Sequence, residues 1–67
     1  MPIVRVSMFE GRSDEQKERL ADAIATAMSE IAGSNRAGVN VLFDDVQSTN
    51  WYQGGKPLGR KDKVDQK

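Results

Sequence analysis

Pro2-Ile3-Val4-Arg5-Val6-Ser7-Met8-Phe9-Glu10-Gly11-Arg12-Ser13-Asp14-Glu15-Gln16 is the stretch that decides the fold. Val4, Val6 and Met8 alternate with Arg5 and Ser7, which is the two-residue period of a strand. Proline has no backbone donor, so Pro2 can only stand at the start of that strand. The spacing predicts a strand over about 3–9. Glu10-Gly11-Arg12 then reads as a turn. Ser13 suits a helix cap, and Gln16, three residues on, suits the reciprocal position of a capping box. Asp14 and Glu15 put negative charge in the first turn, where the helix dipole favours it.

Further along, Leu20, Ile24, Ala27, Met28 and Ile31 recur at spacings of three and four, the apolar stripe of an amphipathic helix. Ala21, Ala23, Ala25 and Ala27 allow close approach to a sheet. Gly33 and Asn35 are stop residues, so the helix is predicted over about 14–32. Val39, Val41 and Phe43 share one face of a second strand, and Asn40, Leu42 and Asp44 the other. A helix crossing between two strands makes them parallel and right-handed. The fold class is therefore α/β (α+β), a β-α-β subunit. Trp51-Tyr52 beside Gly54-Gly55 reads as a short ordered loop or hairpin. The unit is expected to run over 1–59, followed by a charged tail, 60–67, that is frayed or faces solvent.

The chain has 67 residues, with ten basic and ten acidic side chains, no cysteine and no histidine. One small domain buries only a modest fraction of its surface. Chains this short add disulfides, a metal or a partner subunit. Disulfides are excluded, and no side chains have metal-ligand spacing. Two strands and one helix cannot cover both faces of a sheet, so self-association is expected to complete it. The balanced charge argues against nucleic acid, and no apolar run reaches the roughly 20 residues of a membrane span. The opening lacks a signal-peptide core, so a cytoplasmic location is expected.

Pro2-Ile3-Val4 followed by Glu10-Gly11-Arg12-Ser13-Asp14-Glu15-Gln16-Lys17 resembles the 4-oxalocrotonate tautomerase (2-hydroxymuconate tautomerase) family. Val39-x-Val41 and an aromatic before Gly54-Gly55 fall at compatible spacing, so the resemblance covers about residues 2–55. It implies a β-α-β subunit paired into dimers that assemble as a hexamer. It implies removal of Met1, leaving Pro2 as a free secondary amine and general acid/base. The reaction implied is keto–enol tautomerisation of a small 2-hydroxydienoate or 2-oxo acid, as in aromatic-compound degradation, with no cofactor and no metal.

The site residues follow one by one. A neutral amine accepts a proton, and an α-amino group titrates at about 7.7–8.0. Burial or a nearby cation lowers that value toward the range a general base needs. With Met1 retained, the Pro2 nitrogen is an amide without basicity. Arg12 lies just before the helix, where a cation opposes the dipole. Local helix stability does not explain it, whereas carboxylate binding does. A solvated turn arginine or an interface ion pair is the alternative. Asn40 stands where the best-known members of the family carry an arginine that polarises the substrate. Asparagine donates hydrogen bonds without charge, so the reaction is weaker or the substrate differs, unless Asn40 is an ordinary strand residue. Arg36, Arg5 or a neighbouring subunit are candidate sources of the missing charge. Trp51 matches an active-site aromatic, with Tyr52 a candidate second acid. An apolar wall there helps keep the amine neutral, and packing at a subunit interface is the alternative.

Two other outcomes fit the same residues. Relatives in the superfamily dehalogenate, hydrate or decarboxylate small acids, and Asp44 or Asp45 is a candidate to activate water. A non-catalytic subunit of a mixed oligomer, lending Arg12 or Trp51 to another chain, is the other.

Overall fold

The computed structural model describes residues 2–58. The tail expected at 60–67 lies outside the described residues. Strand β1 runs over Ile3–Phe9, helix α1 over Asp14–Ala32 and strand β2 over Asn40–Val46. A hairpin follows, β3 Tyr52–Gln53 and β4 Lys56–Pro57. Single 3-10 turns, Arg36–Gly38 and Ser48–Asn50, bracket β2.

β1 and β2 are parallel, as a helical crossover requires, with Ile3 opposite Asn40 and Phe9 opposite Val46. The Asn40 N–H donates to the Pro2 carbonyl (2.9 Å) and the Glu10 N–H to the Val46 carbonyl (2.9 Å), so the ladder extends one bond beyond each end of β1.

α1 starts where the sequence reading places it. The Ser13 hydroxyl accepts from the Gln16 N–H (3.1 Å), and the Gln16 side chain accepts from the Ser13 N–H (2.9 Å). It ends at Gly33, whose φ of 79° is left-handed and favours glycine. The amides of Gly33 and Ser34 both return to the Met28 carbonyl.

The face that α1 turns to the sheet differs from the expected stripe. Lys17, Ala21, Ile24, Ala25 and Met28 are covered, whereas Leu20 (40% exposed), Ala27 and Ile31 (85% exposed) face outward. Of the four alanines, Ala21 and Ala25 approach the sheet, and Ala23 and Ala27 do not. The apolar arc is wider than two strands can cover, so one flank of it is left over.

Among the described residues, Ala25 is the only buried hydrophobic one. The sheet's second face carries Ile3 (63% exposed), Arg5, Ser7 and Leu42 in the open, with Asp44 half-buried beside them. The described residues of one chain make a helix–sheet contact and no core of ordinary size.

Two ion pairs tie α1 to the segments that follow it. Arg36 donates to the Asp22 carboxylate, the Asp22 carbonyl (3.3 Å) and the Thr26 hydroxyl (3.3 Å), clamping the turn before β2 onto α1. Lys17 donates to Asp45 and so joins α1 to β2. That hydrogen bond, helped by the charges of Asp45 and Asp14 and opposed by desolvation, holds the Lys17 amine above its ordinary 10.5. A raised amine stabilises the fold fully below about pH 10.5, and the contribution is lost as pH rises through the folded value. Alkaline unfolding of wild type and Lys17→Met is therefore expected to differ near neutral pH and converge above that range. A constant difference across it would refute the linkage.

After β2, Gly54 (φ 62°) and Gly55 (φ 82°) form the two-residue turn of the hairpin. Left-handed backbone at both positions matches the twist of the flanking strands. The Leu58 N–H donates to the Trp51 carbonyl (2.7 Å), fixing the hairpin's base beside Trp51.

Candidate active site

Pro2 enters the sheet through its carbonyl alone, so its nitrogen takes no part in the ladder. Its partner there is the Asn40 backbone, and the Asn40 side chain also donates to the Gly38 carbonyl (3.3 Å). Pro2 and Asn40 thus meet at the start of the parallel pair.

Arg12 and Trp51 meet at its other end. Gly11 has a φ of 124°, a conformation that favours glycine, and it swings the chain out of β1. This brings the Arg12 guanidinium over the strand's last residue, where Nη1 donates to the Phe9 carbonyl (3.1 Å). Trp51 packs edge-on against the Phe9 ring, with centroids 4.5 Å apart and planes at 62°. Edge-to-face contact is a favoured aromatic geometry. Beside Trp51 lies a shallow cleft of about 280 Å³, lined by Ser7, Val46, Asn50, Trp51 and Tyr52. Tyr52, the candidate second acid, therefore borders the same cleft as Trp51.

Six strand steps at roughly 3.3 Å separate Ile3 from Phe9, about 20 Å in all. One small substrate cannot touch Pro2 and Arg12 of the same chain. The four residues singled out in the sequence form two pairs at opposite ends of one strand.

Neither arginine weighed as a source of charge beside Asn40 stands free. Arg36 is clamped to α1, and Arg5 faces Asp44 at 3.7 Å. Of the two acids weighed as water activators, Asp45 is held by Lys17. Asp44 accepts from the Ser7 hydroxyl (3.2 Å) on the open face, next to the cleft.

Phe9 is the residue that the sequence reading missed. Strand alternation puts it on the same face as Arg5 and Ser7, one position before Glu10-Gly11-Arg12. That was the available signal, but nothing local tells which ring it meets. Among the described residues, no group of three or more acidic, cysteine or histidine side chains could hold a metal ion. No helix among them is long and apolar enough to cross a membrane.

A family model described as tautomerase enzyme matches residues 2–61. The chain belongs to the tautomerase family. This tautomerase-family chain is 40% identical over 63 residues to the 2-hydroxymuconate tautomerase of Comamonas testosteroni, covering 90% of this chain and 100% of that protein. A probable tautomerase of Bacillus cereus is 38% identical over 61 residues, 91% of this chain and 100% of that one. Among solved structures, TomN is a 4-oxalocrotonate tautomerase homologue in the tomaymycin biosynthetic pathway. It superposes with a TM-score of 0.84 at 26% identity, over 98% of this chain and 100% of its own. A heterohexamer 4-oxalocrotonate tautomerase from Chloroflexus aurantiacus gives 0.77 at 37% identity, over 85% and 92%. The β-α-β arrangement with a C-terminal hairpin is the tautomerase fold.

Proposed function

We propose that this protein is a cofactor-independent isomerase that tautomerises a small 2-hydroxydienoate or 2-oxo acid, with Pro2 as its acid–base group once Met1 is removed. The observation that carries this reading is the use of Pro2 in the sheet through its carbonyl only. A secondary amine at the head of β1 is thereby left to accept a proton. The neutral amine takes the proton of the enol hydroxyl. The double bonds shift, and the same proton is delivered to carbon, so an O–H bond is exchanged for a C–H bond and no electrons enter or leave. Arg12 binds the carboxylate by a charge-assisted hydrogen bond. Asn40 supplies a neutral donor to the developing oxyanion, and the Phe9–Trp51 wall keeps water away.

Because Pro2 and Arg12 of one chain lie about 20 Å apart, the site is completed between chains. A dimer-based homohexamer, in the cytoplasm, is the assembly that fits best. The catalytic unit is assigned to 1–59, the bounds expected from the sequence.

A second reading is favoured by one observation. A heterohexameric relative is 37% identical to this chain, and here the family arginine is replaced by Asn40. In that case the chain would lend Arg12 and Trp51 to a similar partner and would keep Met1.

Intact mass and activity, measured together on purified protein, test the two readings. Loss of Met1 with turnover of 2-hydroxymuconate or an aryl enol pyruvate supports catalysis by Pro2. Retention of Met1 without turnover supports the lending subunit.

A further inference from the structure

We infer that Arg36 is a positioning residue for the reaction: its clamp onto α1 sets the place of Asn40 and, through Asn40, of the Pro2 nitrogen. The inference rests on the reading that Pro2 is the base.

The path runs bond by bond from the helix to the amine. Asp22 and Thr26 lie one turn apart on α1, so they share a helix face. The Arg36 guanidinium reaches both. Its Nε donates to the Thr26 hydroxyl (3.3 Å), and its Nη2 to the Asp22 carboxylate and the Asp22 carbonyl (3.3 Å). Ala37 and Gly38 have no polar side chain, so within the turn Arg36–Gly38 only Arg36 can make such bonds. The turn then closes on itself. The Gly38 N–H donates to the Asn35 carbonyl (2.8 Å), and the Val39 N–H to the Arg36 carbonyl (3.2 Å). The Asn35 side chain accepts from the Ala37 N–H (3.2 Å). Asn40 joins the turn from the far side, its side chain donating to the Gly38 carbonyl (3.3 Å). The Asn40 N–H donates onward to the Pro2 carbonyl (2.9 Å). Beyond that carbonyl, the proline ring leaves one torsion, about the Cα–C bond, between the held peptide plane and the amine.

Stability does not account for the clamp. The Arg36 and Asp22 side chains are 49% and 72% exposed, and an ion pair so exposed adds little. Three acceptors on one guanidinium fix direction instead, because the group is a rigid planar fork. Direction matters at this end of the sheet, since a catalytic group misplaced by about 1 Å loses on the order of 100-fold in rate. Arg36 thus serves Pro2 from a distance rather than as a cation for the substrate.

Arg36→Met keeps the reach of the side chain and removes its three bonds to α1. In the full-length protein it should lower kcat on 2-hydroxymuconate about tenfold. KM should stay within about twofold, because Arg12, which holds the carboxylate, belongs to the opposite end of β1. The Asn40 amide should exchange with deuterium about tenfold faster. The Glu10 amide, which bonds to Val46 at the other end of the ladder, should keep its wild-type rate. Asp22→Ala, a change at an exposed helix residue, should move kcat and Asn40 exchange in the same direction. The double variant should be no worse than Arg36→Met alone, since both substitutions remove one contact. Unchanged kcat in Arg36→Met would overturn the inference, even with faster Asn40 exchange. So would exchange that quickens equally at Asn40 and Glu10, the mark of a general loss of stability, or effects of the two substitutions that multiply. Turnover that survives in Pro2→Ala would overturn the base assignment itself, whatever the Asn40 amide shows.

Discussion

Pro2→Ala is expected to lower kcat/KM by about 100- to 10,000-fold, the usual span for a general acid–base group, with the fold unchanged. The fold is insensitive because the Asn40 N–H bonds to the residue-2 carbonyl, which every amino acid carries. Chemistry is sensitive because alanine replaces a ring-held secondary amine with a freely turning primary one. An unperturbed α-amino group titrates at about 7.7–8.0 and is largely protonated at neutral pH. A base must be neutral and held within reach of its proton, and the substitution harms both. A chain with one uncleaved residue before Pro2 is the sharper control. Its nitrogen is an amide, so activity should fall to background while circular dichroism matches wild type. A loss under about tenfold in Pro2→Ala would assign the proton transfer to another group.

The second large effect is expected from Leu42→Asp. Leu42 and Ile3 stand 41% and 63% exposed on the uncovered face of the sheet, and Ala25 is the only buried hydrophobic residue among those described. Covering Leu42 against a neighbour contributes about 1.5–3 kcal/mol. An unpaired carboxylate at that spot adds a penalty of several kcal/mol. It would also stand two residues from Asp44 on the same face, where like charges repel. Wild type should sediment as a multiple of the 7.4 kDa chain. Leu42→Asp should lose that assembly, its helical signal and its activity together. A variant that stays the same size, folded and active would show that this face is not where copies meet.

The helix boundaries were legible because their causes are local. Ser13, Gln16 and Gly33 specify the ends of α1 through bonds that span a few residues. The strands were legible from alternation, and the hairpin from Gly54-Gly55. The rotation of α1 was not. Ile31 belongs to the periodic stripe, yet whether it is covered depends on the width of the sheet beneath, which no local pattern encodes. Nor was the pairing of Phe9 with Trp51, which are 42 positions apart in sequence and meet only after the Ser48–Asn50 turn. The capture of Arg36 by Asp22 and Thr26 likewise depends on where the turn before β2 leaves the side chain. The separation of Pro2 from Arg12 was readable in principle, since seven strand residues set a minimum reach.

That separation along β1 makes the chain divisible in a genetic sense. With the site completed between chains as proposed, a copy damaged at Pro2 and a copy damaged at Arg12 would carry their lesions at opposite ends of a strand, and so into different centres of one closed assembly. Co-expressed, two silent alleles would complement each other, because some centres would draw the intact proline from one parent and the intact arginine from the other.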